Sequence, residues 1–209
     1  GENFKVNGGQ GSDGQLLTST GSGVAWEDAP AGGPTFKTFG TNSIMVGDNA
    51  TGTINAANSN SGFGVDVFAS LTSADENTMV GFQAGKGITT GGSNVGVGNN
   101  VLMGTLTGGN NVAVGFGTLT AATSGFNNVA VGTYSMNGAV VTGRDNVSIG
   151  QHTGHAITSG AYNVLLGTNA GDSITTGSSN VAIGVNAMHT VTASSYPNIG
   201  IGENALHSL

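Results

Sequence analysis

Four side chains that could bind a metal ion fall at equivalent positions of a repeating pattern. His155, His189 and His207 each follow a recurrent glycine by five residues, and Asp172 holds this position in the repeat between the first two. Imidazole and carboxylate are good ligands for transition metals, so stacked repeats would build a ladder of ligands. The same column also contains Gly52, Ala69, Lys86, Met103, Thr120 and Asn137, a mixture typical of solvent exposure. We therefore favour an exposed column over a metal site, and we expect no cofactor.

No other residue pattern predicts catalysis, and we expect a protein that is not an enzyme. The glycine-rich runs lack the lysine and the following helical pattern of a phosphate-binding loop. Aspartate-rich calcium repeats are also missing. Two binding alternatives stay open. A column of threonines and serines could bind ice (Thr90, Thr107, Ser124, Thr142, Ser159, Thr176), and aromatic rings could stack on sugars (Trp26, Tyr134, Tyr162, Tyr196).

A short repeat positions all of these residues. It consists of an asparagine, an apolar–small–apolar triplet and a glycine. The best copies run from Asn94 to Gly98, Asn111 to Gly115, Asn128 to Gly132, Asn146 to Gly150, Asn163 to Gly167, Asn180 to Gly184 and Asn198 to Gly202. Earlier copies begin at Ser43, Asn60 and Asn77. Successive glycines are 17 residues apart, except for two steps of 18 that end at Gly150 and Gly202, where we expect one extra residue to bulge from a loop.

The repeat predicts an all-β fold. The triplet alternates with period two, as a short strand does, and glycine and asparagine on either side favour turns. Regular copies of this length indicate a parallel β-solenoid, or β-roll, of about ten 17-residue coils, spaced roughly 4.8 Å apart. Stacking would turn the asparagines into a hydrogen-bonded ladder. A third apolar column is expected at Ile88, Ile157, Ile174 and Val191.

The triplet also suggests assembly of several chains. We expect its two outer aliphatic residues to fill the coil and its central residue, such as Ala130, to face outward. The central column contains small or apolar residues and no charge, which is unusual for a solvated face. We therefore predict that it packs against other copies of the chain, in a homotrimeric fibre.

Composition limits the function classes. Only four of the 209 residues are lysine or arginine, against 11 acidic residues, so we expect no nucleic-acid binding. No apolar run is long enough to cross a bilayer, so we expect no membrane insertion. The pattern predicts an N-terminal fibre segment with a flexible joint (1–40), a transition with irregular repeats (41–76) and regular repeats (77–209). We expect the sequence to be a segment of a longer protein.

Over residues 41 to 209, the repeats resemble the head repeats of trimeric autotransporter adhesins and the same repeat in bacteriophage tail fibres. That resemblance implies a left-handed parallel β-roll with three chains in each fibre. The segment from Gly14 to Trp26, GQLLTSTGSGVAW, resembles a motif common in phage tail-fibre proteins. It favours a viral fibre.

The resemblance implies a structural protein of the virion surface, a tail-fibre shaft or head that projects or forms a host-receptor-binding surface. A host-surface receptor, such as a glycan or an outer-membrane component, is the expected partner, and no receptor-binding residue is assigned. The alternative is the head segment of a bacterial trimeric surface adhesin, located on the bacterial cell surface.

Overall fold

The structure is a computed structural model that describes the strands at 15–19, 24–28, 35–39 and 43–47 and the ranges 57–191 and 197–208. Contacts divide the chain into two units, Gly1–Thr35 and Phe36–Leu209. In the first unit, β1 (Gln15–Ser19) and β2 (Val24–Asp28) form an antiparallel pair with Leu17 opposite Trp26. The motif that resembles phage fibres therefore covers β1 and the first three residues of β2. Within the predicted segment 1–40, the flexible joint was expected at the Gly-Gly-Pro stretch 32–34, which lies outside the described residues.

The second sheet has eleven strands in sequence order. It begins with β3 (Thr35–Phe39) and β4 (Ser43–Gly47). The nine that follow each have three residues: β5 (Ser61–Phe63), β6 (Thr78–Val80), β7 (Val95–Val97), β8 (Val112–Val114), β9 (Val129–Val131), β10 (Val147–Ile149), β11 (Val164–Leu166), β12 (Val181–Ile183) and β13 (Ile199–Ile201). From β4 onward each strand pairs in parallel with the next, equivalent residues side by side. The described residues contain no helix. The predicted all-β parallel solenoid is thus confirmed.

The repeat glycine forms the corner after each strand. Its nine copies from Gly64 to Gly202 have φ between 124° and 141° and bound eight turns, fewer than the ten coils predicted. These φ values are open to glycine and rarely adopted by other residues. A Cβ on Gly98 would also collide with the carbonyl oxygen of Gly115 in the next turn. The 17-residue glycine is therefore needed both for its backbone conformation and for close stacking.

The predicted asparagine ladder is present and buried. Asn128 donates two hydrogen bonds to the Oδ1 atom of Asn111, from its backbone nitrogen (3.0 Å) and from Nδ2 (3.2 Å). Its Nδ2 also donates to the carbonyl oxygen of Gly143 at 3.0 Å. Neighbouring turns repeat the pattern, and the members are Asn60, Asn77, Asn94, Asn111, Asn128, Asn146, Asn163, Asn180 and, at the half-exposed end, Asn198. Each asparagine thus joins two turns, and those from Asn60 to Asn163 also close a corner of their own coil.

Two columns share the interior of each turn, the strand centre and the residue four places after the glycine. Their sizes are inversely related. Ala113 is matched by Leu119 and Ala130 by Met136, whereas Leu165 is matched by Gly171. A Cβ on Gly171 would lie 2.7 Å from Cδ2 of Leu165. Because protein interiors are close-packed, one large side chain at this level excludes another.

The third apolar column is buried where it was predicted. Ile88, Ile157, Ile174 and Val191 all lie in the core. In turns where this column has no large aliphatic residue, Leu106 and Val141 fill the interior instead, one and two positions further along the chain.

The 18-residue step that ends at Gly150 leaves the strands in register, since Ser148 still pairs with Ala130. Gly138 and Val141 keep their hydrogen bonds to neighbouring turns. The extra residue lies between them, where Val140 is 53% exposed. The predicted bulge is confirmed here. The step that ends at Gly202 includes residues 192–196, which lie outside the described residues.

The ladder makes a stability prediction. We expect Asn128→Ala to lower the free energy of unfolding by about 2–4 kcal/mol, because the buried Asn111 carboxamide oxygen and Gly143 carbonyl each lose a donor. Urea unfolding followed by circular dichroism measures the change. Thr142→Ala, at an exposed position, is the control. A loss below about 0.5 kcal/mol, the range of ordinary surface substitutions, would contradict a stabilising ladder.

The inverse size relation predicts coupling between Leu165 and Gly171. Leu165→Ala should cost about 2–5 kcal/mol by leaving a cavity, and Gly171→Leu should cost about 1–3 kcal/mol by overpacking. The double variant should lose less free energy of unfolding than the two single variants lose together, because it recreates the Ala113–Leu119 arrangement. Leu119 already has a φ of 50°, so leucine fits this corner. A double-mutant cycle measures the coupling; additive losses would contradict it.

Candidate functional site

The candidate functional surface is the outward side of the strands β5–β13. In every one of these strands the central residue is buried and the two outer residues are partly or fully exposed. We predicted the reverse, and that prediction is wrong. Ala130 is fully buried, whereas Val97 and Ile149 are 39% and 41% exposed. The physical reason is space, since the residue four places after the glycine also fills the coil and leaves little room at the strand centre.

This outward face is apolar along its whole described length. Nine strands provide eighteen outward positions, and all but Ser61 and Thr78 carry an apolar side chain. Exposure is greatest towards the two ends, at 60% for Phe63 and 68% for Ile199. At strand spacing, nine strands make a strip roughly 40 Å long. We call these outer residues of β5–β13 the aliphatic strip.

A shallow apolar cavity of about 190 Å³ lies at the β4–β6 end of the strip. It is lined by Ile44, Val46, Phe63, Met79, Val80 and three smaller residues. The two polar exceptions, Ser61 and Thr78, help to form it because their side chains are short. In the same turn Val67 and Phe68 are buried, while Phe63 and Val65 are exposed. The four large hydrophobic residues of this turn therefore divide between the core and the surface.

Stacking brings the four candidate metal ligands into one column. His155 Nδ1 and His189 Nε2 each lie 4.0 Å from a carboxylate oxygen of Asp172. The ring of His207 stacks on that of His189, with centroids 5.3 Å apart and planes 13° apart. The side chains of His155, Asp172 and His189 are between 26% and 37% exposed. The column is therefore accessible to solvent, and its members are spread over successive turns.

Another charged group uses the same column in an earlier turn. Lys86 Nζ lies 3.2 Å from Oδ2 of Asp66, and Gln83 Nε2 donates to the same oxygen at 2.8 Å. The Gln83 hydrogen bond and then Lys86 lower the pKa of Asp66. Lys86 is thus occupied by a carboxylate of its own chain.

The aromatic residues form two separate groups. Phe116, Tyr134 and His152 follow one another in three successive turns, with neighbouring ring centroids 5.3 Å apart. In the second group, Arg144 lies between the rings of Phe126 and Tyr162. From the sequence we predicted a role for the tyrosines but not for Arg144. The small number of basic residues, four in the whole chain, was a signal that could have drawn attention to it. Tyr196 lies outside the described residues, and of Trp26 only the backbone strand is described.

Comparison of the chain with protein families, curated proteins and solved structures gave no match. In the described part of the chain, no helix is long and apolar enough to cross a membrane. Within those residues, no group of three or more histidine, cysteine, aspartate or glutamate side chains is arranged to hold a metal ion. Any function must therefore be inferred from the surfaces of the molecule.

The histidine column predicts how the protein responds to metal. We expect excess Zn²⁺ or Ni²⁺ to leave the melting temperature unchanged, because the four side chains are spread over successive turns instead of surrounding one point. A metal ion that bound only to the native state would raise that temperature. Differential scanning fluorimetry measures the effect. A rise that is lost in His189→Gln and kept in His152→Gln would contradict this expectation and establish a metal site.

Proposed function

We propose that this chain is a structural segment of a homotrimeric fibre, a viral tail-fibre shaft or head that projects or forms a receptor-binding surface. The observation that carries the proposal is the aliphatic strip. Its partly exposed residues form a continuous stripe without a charged member. Single soluble chains rarely expose apolar patches beyond a few hundred Å², and larger ones mark interaction sites.

The shape of the strip supports packing against other copies of the same chain. It repeats at strand spacing with equivalent residues side by side, so the strip of a second copy presents the same side chains at the same intervals. It is only two side-chain columns wide. Such a narrow ridge can approach a common axis, where each of three chains covers the strips of the other two.

A trimer would account for both sides of the strand. The central residues already fill the coil, and the outer residues would be buried between chains. The resemblance of the repeats to fibre and adhesin heads agrees with this assembly. The structural role follows from the same geometry, because three laterally packed solenoids make a stiff rod that can present receptor-binding surfaces in several copies.

The aliphatic strip is equally compatible with the head of a bacterial trimeric surface adhesin. Location separates the two candidates. An antibody raised against residues 57–191 should label the tail of a virion in the first case and the surface of a bacterium in the second, by immunogold electron microscopy. The GQLLTSTGSGVAW segment favours the virion.

Native mass spectrometry tests the assembly. We expect a mass of three chains for the wild type and loss of this species at micromolar concentration in Ile149→Lys, because three lysines would meet at the axis without a counter-charge. Thr142→Lys adds the same charge at an exposed position of the same repeat and should remain trimeric.

Ala130→Lys separates assembly from folding. Its site is inside the coil, so this variant should lose β-sheet signal, whereas Ile149→Lys should keep that signal as a folded single chain. A wild type that remains a stable folded monomer would contradict the proposal. So would an Ile149→Lys variant that remains trimeric.

A further inference from the structure

One arginine lies between two aromatic rings on the surface. The guanidinium carbon of Arg144 is 5.6 Å from the ring centroid of Phe126 and 5.4 Å from that of Tyr162. The three residues occupy successive turns, at the corner that precedes the asparagine. Both contacts fall within the range of cation–π interactions. The arginine head is therefore held in a defined position although its side chain is 50% exposed.

The backbone fixes this cluster. Phe126 and Arg144 form a parallel β-bridge. The backbone nitrogens of Asp145 and Tyr162 donate to the carbonyl oxygens of Phe126 and Arg144, respectively, both at 3.1 Å. At the position two residues before the asparagine, the preceding turn carries Gly109, and Ala161 directly precedes Tyr162 in its own turn. Both rings are accessible to solvent, since Phe126 is 37% and Tyr162 is 50% exposed.

The polar edge of the guanidinium is directed by a single carboxylate. Arg144 Nε lies 3.8 Å from Oδ2 of Asp145, and Oδ1 of Asp145 accepts a hydrogen bond from Asn127 at 3.0 Å. Within the described residues, the two terminal nitrogens of Arg144 have no protein acceptor. They form a planar fork that matches a carboxylate with two parallel hydrogen bonds.

We infer that this cluster is a binding site for an acidic saccharide, a glycan that carries a carboxylate on a sugar ring. The fork of Arg144 binds the carboxylate, and the exposed rings of Phe126 and Tyr162 pack against apolar faces of the sugar. The chain has a net charge of −7, so the whole molecule repels a polyanion. A ligand with one carboxylate is repelled less, because Arg144 attracts it at short range. The inference rests on the proposed function, since it identifies the ligand class that the fibre surface recognises.

A glycan array tests the ligand class. The wild-type protein is applied at low salt to sialylated and uronate-bearing oligosaccharides, each paired with its neutral counterpart, and to a separate set of sulfated glycans that carry no carboxylate. We expect retention by members of the acidic set and not by their neutral partners. Equal retention of neutral and acidic members, or retention of neither, would overturn the inference. Retention of sulfated glycans alone would also overturn it.

Titration calorimetry of the best acidic hit tests the residues. Arg144→Gln should weaken binding by about tenfold or more, because charge-assisted hydrogen bonds are lost. Arg144→Lys should also weaken it, since lysine keeps the charge but not the fork or the stacking. Phe82→Ala removes an aromatic ring that is 46% exposed outside the cluster and should leave binding unchanged. Unchanged affinity in Arg144→Gln would overturn the site.

Native mass spectrometry of the same samples separates this inference from the proposed function. If the protein is a trimer that binds no acidic saccharide, the saccharide site is wrong and the fibre proposal stands. If the protein is a folded monomer whose saccharide binding depends on Arg144, the fibre proposal is wrong and the binding site stands. Arg144→Gln should keep the oligomeric state of the wild type. Loss of assembly in this variant would instead make the cluster a contact between chains.

Discussion

The buried asparagine ladder is the interaction on which the rest of the solenoid depends. Each carboxamide hydrogen-bonds a neighbouring turn and, in most turns, also a corner carbonyl of its own coil, as Asn128 does with Asn111 and Gly143. Strands of only three residues have few hydrogen bonds to define their register. A slip by one residue would exchange the inward and outward sides of the strand. The ladder prevents this slip, because an asparagine out of register would leave buried amides without partners.

Once the register is fixed, the interior must be filled within a very small cross-section. The chain meets this constraint by sharing volume between the strand centre and the corner four residues after the glycine. Leucine and methionine take the corner when the strand centre is alanine, and they do so with positive φ, as Leu119 and Met136 show. This conformation is costly for such residues. The burial of a large side chain offsets that cost.

The sequence predicted the period, the strands, the glycine corners, the asparagine ladder and the third apolar column, because each of these depends on a regular spacing. It did not predict which side of the strand faces inward. Alternation separates the two sides without orienting them, and the larger aliphatic residues suggested the wrong one. The inverse size relation between Leu165 and Gly171 was a signal that could have oriented them. The Arg144 cluster was missed for another reason: its three members are 18 residues apart, and only the exact stacking of turns brings them into contact.

The orientation of the strands changes what the fold requires. A coil whose outward strand residues are Val, Ile and Leu keeps part of its apolar surface in water, and its interior contains mostly alanine and glycine at the strand centre. Hydrophobic stabilisation scales with the apolar area removed from water, so a single chain gains only part of the stabilisation that its apolar side chains could provide. Association along the aliphatic strip would recover the remainder, and binding that is specific to the native state adds directly to stability. Repetition then has a physical purpose beyond length: every added turn extends the core, the asparagine ladder and the strip together. The corner before the asparagine belongs to neither the core, the ladder nor the strip, and residues as different as Gly109, Phe126, Arg144 and Ala161 occupy one column there.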